Sequence, residues 1–110
     1  MNEQKEQIPD WLCNYLRIAF LGEIYSNIRA IAIACNKKED EITIRYYLDR
    51  NPCDYDYENL EVVATNLDAL LPTQLKKLDI ECIHWKDESL KNTDPLSGFF
   101  YARREYDLDS

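Results

Sequence analysis

The stretch NIRAIAIACNKKEDEITIRYYLDR, Asn27 to Arg50, has the pattern of a β-hairpin, and the rest of the fold is predicted from it. Residues 28–35 are apolar except for Arg29, which is typical of a strand covered on both faces. Periodicity alone also fits a buried helix, but the β-branched isoleucines favour a strand. Residues 36–40 then supply a polar turn of hairpin length. We therefore expect the first strand to be central in a sheet.

The second strand of the hairpin, residues 41–49, alternates strictly between apolar and polar positions. Its apolar side carries Ile42, Ile44, Tyr46 and Leu48. Its other side carries Glu41, Thr43, Arg45, Tyr47 and Asp49. Such alternation predicts one face for a core and one for water or a partner.

Two helices are predicted, one on each side of the hairpin. The first begins at Pro9, whose fixed φ suits a first helical position, and its apolar residues from Leu12 to Ala19 have helical spacing. The second carries apolar residues at i, i+3, i+4, i+7 and i+11 from Leu60 to Leu71. We expect Asp54 or Asp56 to be its N-cap.

The remaining strands complete the predicted fold. Residues 76–85 and 99–106 alternate as strands, and the polar segment 86–95 between them reads as an exposed loop. The predicted order is therefore α-β-β-α-β-β. Both apolar helix stripes are buried if the helices lie on one face of the sheet, so we expect an α+β two-layer sandwich with a mostly antiparallel four-stranded sheet.

Length and composition favour one folded domain. The chain has 110 residues, 45% of them hydrophobic and 31% charged, which is the balance of a globular protein. We expect a single domain over residues 1–110, with flexible ends at 1–7 and 107–110. No apolar run reaches the roughly 20 residues of a membrane helix, and the first residues lack the features of a signal peptide, so we expect a cytoplasmic protein.

Residues for catalysis or metal binding are sparse. His84 is the only histidine, and it lies in an alternating strand with no nucleophile motif around it. Without a C-x-x-C pair, the cysteines are expected to be reduced thiols in the core. They are Cys13, Cys35, Cys53 and Cys82. The sequence therefore predicts no catalytic residue, metal site or cofactor. We expect that the protein is not an enzyme.

Charge and tyrosine content indicate a protein partner. A net charge of −8 repels phosphate backbones and attracts basic proteins, so we expect no direct contact with nucleic acid or membranes. In residues 47–58, YLDRNPCDYDYE, tyrosines alternate with acids, a mixture suited to binding a basic surface. The candidate binding residues are Tyr47, Asp49, Asp54, Tyr55, Asp56 and Glu58.

A purely structural interpretation of the same segment is also open. In it, Asp54 and Asp56 only cap the second helix, Tyr57 packs on the core, and the acids keep the protein soluble. Arg103 and Arg104 are predicted to form intramolecular ion pairs with acids that include Asp49.

Several framework segments resemble the immunity proteins of bacterial contact-dependent growth inhibition, which are polymorphic toxin systems. The resemblance extends over residues 21–106. The segments are NIRAIA (27–32), IRYYLDR (44–50), EVVATN (61–66), KKLDIEC (76–82) and DPLSGFFYARREY (94–106). It implies a cytoplasmic protein that binds and neutralises the C-terminal toxin domain of a contact-delivered effector. Such toxins are frequently nucleases and often cleave tRNA. These families diverge most at the toxin-binding surface, so no binding residue is taken from the resemblance.

The leading hypothesis is a stoichiometric inhibitor, a monomer or weak dimer, that binds a nuclease toxin domain with a basic surface. Occlusion of the toxin's active site and inhibition from an adjacent site are both compatible with the sequence. The alternative is an acidic adaptor or self-associating module that pairs through an exposed sheet edge.

Overall fold

The computed structural model describes residues 7–36, 40–72, 74–86 and 94–104. The elements are α1 (Asp10–Ala19), β1 (Ile28–Asn36), β2 (Glu41–Leu48), α2 (Asp54–Leu70), β3 (Lys77–His84) and β4 (Gly98–Ala102). This confirms the predicted α+β class with two helices and four strands. The predicted flexible ends, except Gln7, and most of the predicted hairpin turn and 86–95 loop lie outside the described residues. None of the helices described has the length and apolar character needed to cross a membrane.

The four strands form a mixed sheet in the order β3-β2-β1-β4. β1 is antiparallel to both β2 and β4, whereas β2 and β3 are parallel, from Glu41 beside Lys77 to Leu48 beside His84. The prediction of a mostly antiparallel sheet did not include this parallel pair. Its physical reason is α2, which carries the chain back along the sheet to the end where β2 begins, as a parallel crossover requires.

The main core lies between the helices and one face of the sheet. The apolar side of β2 that the sequence predicts, Ile42, Ile44, Tyr46 and Leu48, is buried there. The helices and β1 contribute Leu12, Leu16, Ile31, Ile33, Leu60, Val63 and Leu67. Both helices therefore pack on the same face of the sheet, as predicted.

The opposite face of the sheet carries a second, smaller apolar cluster. Ala30, Ala32 and Tyr47 are buried there, and Ile83, Trp85 and Leu96 pack against them. β1 is therefore covered on both faces, as its sequence predicts. Tyr47 is only 2% exposed, so the expectation that it faces water or a partner is wrong. The covering side chains come from segments distant in sequence.

A tight turn after α1 places the next segment against α2. The helix ends at Ala19 with Phe20 as its C-cap, and Gly22 then adopts a φ of +77°, a conformation that is costly for residues with a Cβ. The backbone N–H of Glu23 donates to the carbonyl of Phe20 at 2.9 Å. The chain thus reverses and brings Tyr25 to the start of α2.

Candidate functional site

The first turn of α2 is built around Asp56. The N-cap of α2 is Cys53. The prediction that Asp54 or Asp56 occupies this position is therefore wrong. Asp56 is instead the third helical residue, and its Oδ2 accepts the backbone N–H of Cys53 at 2.8 Å. This is the acidic half of a capping box, which satisfies an N–H that the helix leaves unpaired.

Asp56 is fully buried, and its carboxylate is surrounded by donors. Arg50 donates from Nη1 to Oδ2 at 2.6 Å and from Nη2 to Oδ1 at 2.9 Å, and the Tyr25 hydroxyl also donates to Oδ1. Burial by itself raises the pKa of Asp56, but the hydrogen bonds from Arg50, Tyr25 and Cys53 outweigh burial and lower that pKa. Asp56 therefore stays ionised and serves the fold from the inside.

Three other candidate residues in the same turns point outward, and we call them the α2 acidic face: Asp54, Tyr55 and Glu58. All three are exposed, and Asp54 and Glu58 lie one helical turn apart. Tyr55 is held edge-on against the Tyr25 ring, with centroids 5.1 Å apart. Neither acid forms an ion pair with any residue that the structure describes. Two like charges at this spacing slightly destabilise a helix, which offsets part of the favourable interaction of Asp54 with the helix N-terminus, so the acids of the α2 acidic face contribute little to the fold.

The remaining two candidate residues, Asp49 and Tyr47, are not part of the α2 acidic face. Asp49 accepts from Arg103 Nη1 at 2.8 Å and from Asn27 Nδ2 at 3.0 Å, which confirms the ion pair predicted for Arg103. Burial raises the pKa of Asp49, but the hydrogen bonds from Arg103 and Asn27 outweigh burial, so the pKa is lowered. Tyr47 lies on the sheet face opposite the helices, where its hydroxyl donates to the carbonyl of Asp94 at 2.7 Å.

The residues with potential for catalysis or metal binding are dispersed. His84 Nδ1 lies 3.0 Å from Asn51 Oδ1, and all four cysteines are free. Burial raises the pKa of the Cys82 thiol to about 12, with a smaller contribution from Asp56, so this cysteine stays protonated. No three metal-ligating side chains come together within the described part of the chain.

The family model of the MafI2 immunity protein matches residues 9–105. The chain belongs to this family. The match extends from the start of α1 past the end of β4, so it includes every element of the fold. It confirms the resemblance to immunity proteins of polymorphic toxin systems and gives toxin immunity as the class of function. Among curated proteins, none matches the chain.

The structure of this MafI2 immunity protein also reveals surface residues that the sequence pattern did not single out. Ile18, Leu21 and Ile24 expose large apolar side chains at the end of α1 and in the turn after it. In the sequence, Ile18 only widens the apolar stripe of the first helix. Its position in the helix distinguishes it. Ile18 does not belong to the i, i+3, i+4 series that starts at Leu12, and it is that series which packs on the sheet.

Proposed function

We propose that this immunity protein binds the C-terminal toxin domain of a contact-delivered effector, stoichiometrically and without catalysis, through the α2 acidic face. The toxin is proposed to be a nuclease with a basic surface, neutralised in the cytoplasm. The observation that carries this proposal is the contrast between Asp54 and Asp56. The Asp56 carboxylate is buried and neutralised inside the fold. The Asp54 carboxylate, two residues away, is exposed and forms no ion pair among the described residues.

The rigidity of the α2 acidic face supports a binding role. The bidentate contact from Arg50 and the capping contact with Cys53 fix the first turn of α2. Tyr55 packs on Tyr25, so a large aromatic surface is ordered before any partner arrives. Preorganised groups lose less conformational entropy on binding, and tyrosine is frequent among the residues that dominate interface energies.

The charge of the chain supports a basic partner. A nuclease must attract a phosphate backbone, so its substrate cleft is positively charged, and a protein of net charge −8 complements it. Electrostatic attraction also raises association rates to about 10⁸ M⁻¹s⁻¹ at low salt. Rapid capture suits a protein that must act before the toxin damages its target.

The six residues predicted from sequence take two roles in this proposal. Asp54, Tyr55 and Glu58 contact the toxin, and Asp49 lies at the border of the contact surface. Asp56 and Tyr47 maintain the scaffold, because both are buried and fully engaged in hydrogen bonds within the chain.

The test compares two double variants of equal charge change. Asp54→Lys with Glu58→Lys reverses the α2 acidic face. Asp10→Lys with Asp68→Lys is the matched control, because Asp10 is likewise an acid in the first turn of a helix and Asp68 lies about 20 Å from Asp54 along α2. Affinity is measured by calorimetry against the C-terminal toxin domain encoded beside this chain.

We expect the first double variant to raise Kd by at least about tenfold, or about 1.4 kcal/mol, and the control to change it far less. Because the interaction is steered by charge, the association rate of the parent chain should also fall as salt is added. Equal effects of the two double variants, or an unchanged Kd with an intact fold, would place the toxin-binding surface elsewhere.

A further inference from the structure

Large apolar side chains are exposed where α1 ends and α2 begins. We call Ile18, Leu21, Ile24 and Tyr55 the apolar patch. Their exposed fractions are 52%, 73%, 37% and 56% respectively. None of the four is among the buried residues of the main core. These side chains therefore leave much of their apolar surface in contact with water, although they are of the size that a core uses.

Several contacts hold the turn after α1, which carries Leu21 and Ile24, against the first turns of α2, which carry Tyr55. Asn59 of α2 donates through Nδ2 to the carbonyl of Glu23 and to its Oε1, both at 3.2 Å. Tyr25 packs edge-on against Tyr55. Ile24 lies between Glu23 and Tyr25 in the chain, so its backbone lies beside the first turns of α2. The turn after α1 is thus fixed against the α2 acidic face.

The surroundings of the apolar patch are acidic. Asp54 and Glu58 flank Tyr55 on α2, and Glu23 precedes Ile24 in the turn. An exposed apolar cluster bordered by polar residues is typical of a protein-binding surface. Interfaces place apolar and aromatic side chains at the centre, where most of the binding energy arises, and charges at the border.

We infer that the apolar patch is the centre of the toxin interface, and that the toxin presents an apolar cluster bordered by lysine or arginine. This inference rests on the proposed function. A second copy of this chain fits less well, because a symmetric contact sets the same surface of each copy against the other. The acids Glu23, Asp54 and Glu58 would then face one another in two proteins that each carry a charge of −8.

Replacing an apolar residue by an acid separates this inference from simple charge attraction. If only charge mattered, Leu21→Glu would strengthen binding to a basic toxin domain. If the apolar patch is the centre of the interface, the same change buries a carboxylate against apolar groups and weakens binding. Leu21 is 73% exposed, so the variant is expected to fold. Ile18→Glu makes the same change at a second residue of the apolar patch, and the two explanations predict the same opposite effects on binding.

The control is Phe99→Glu, which makes an apolar-to-acid change at a residue 38% exposed. Phe99 packs against Tyr47 on the sheet face opposite the helices, far from the apolar patch. Binding to the toxin domain encoded beside this chain is measured by calorimetry, and the fold of each variant by circular dichroism. We expect Leu21→Glu and Ile18→Glu to raise Kd at least about tenfold and Phe99→Glu to change it little.

Three outcomes overturn the inference. An unchanged or lower Kd for Leu21→Glu, while reversal of Asp54 and Glu58 still weakens binding, refutes the apolar patch and leaves the proposed function standing. Absence of any binding by the parent chain refutes the proposed function itself. A dimer of the parent chain in sedimentation velocity that Leu21→Glu dissociates would show that a second copy covers the patch.

Discussion

Arg50 and Asp56 form a bidentate ion pair at the start of α2, with N–O distances of 2.6 and 2.9 Å. The carboxylate is completely buried, whereas the guanidinium remains one-third exposed. A charge pair of this kind holds the chain before α2 against the first turn of the helix. Asp54, only two residues away, makes no such contact among the described residues, so two neighbouring aspartates have opposite roles.

The first prediction concerns the free energy of unfolding of two alanine variants. Asp56→Ala removes the acceptor of the Cys53 N–H, the Tyr25 hydroxyl and the Arg50 guanidinium, and we expect a loss of about 2–4 kcal/mol. Asp54→Ala removes only a favourable charge near a helix N-terminus, so we expect a loss below about 1 kcal/mol. Urea unfolding measures both values. Similar losses in the two variants would contradict the buried role of Asp56.

The second prediction concerns stability at acid pH. The pKa values of Asp56 and Asp49 are lowered in the folded state, whereas in the unfolded chain an aspartate has a pKa of about 3.9. Below about pH 4 the unfolded chain therefore binds more protons, and the stability that these carboxylates contribute is lost as the pH falls through their folded-state pKa values.

Unfolding measured from pH 7 to pH 3 tests this sign. We expect the parent chain to lose stability on acidification, and Asp56→Asn to be less stable at pH 7 but to lose less from there to pH 3. Parallel curves for the two proteins would show that Asp56 does not carry the acid dependence.

The third prediction concerns Tyr47→Phe. The hydroxyl accepts from Arg45 at 3.0 Å and donates to the carbonyl of Asp94, whereas the ring packs against Trp85 and Phe99. The variant keeps the ring and loses both hydrogen bonds, so we expect a loss of about 1–2 kcal/mol of stability and an unchanged Kd for the toxin domain. A raised Kd with unchanged stability would return Tyr47 to the interface.

Elements of the fold with a local signal were predictable from sequence. The alternation of residues 41–49 and the spacing from Leu60 to Leu71 each identify an apolar face from residues that are close together in the chain. The parallel pairing of β2 and β3 has a weaker signal, the succession of strand, helix and strand. Its direction depends on where α2 ends relative to the sheet, which periodicity does not report.

The candidate site was predictable only in part. The pattern of acids and tyrosines located the start of α2 but did not separate Asp56 from Asp54. Burial of Asp56 depends on Arg50 from the preceding turn and Tyr25 from a segment 31 residues away. The burial of Tyr47 was missed for the same reason, because Trp85 and Leu96, which cover it, come from distant parts of the chain.

The order of strands in the sheet has a consequence for synthesis of the protein. The two inner strands, β1 and β2, leave the ribosome first, and both outer strands come from the second half of the chain. Until residue 102 has emerged, at least one flank of the nascent hairpin lacks its hydrogen-bonding neighbour, and such flanks pair readily with other chains. We therefore expect premature termination before β4 to yield a fragment that aggregates instead of a folded protein of lower affinity.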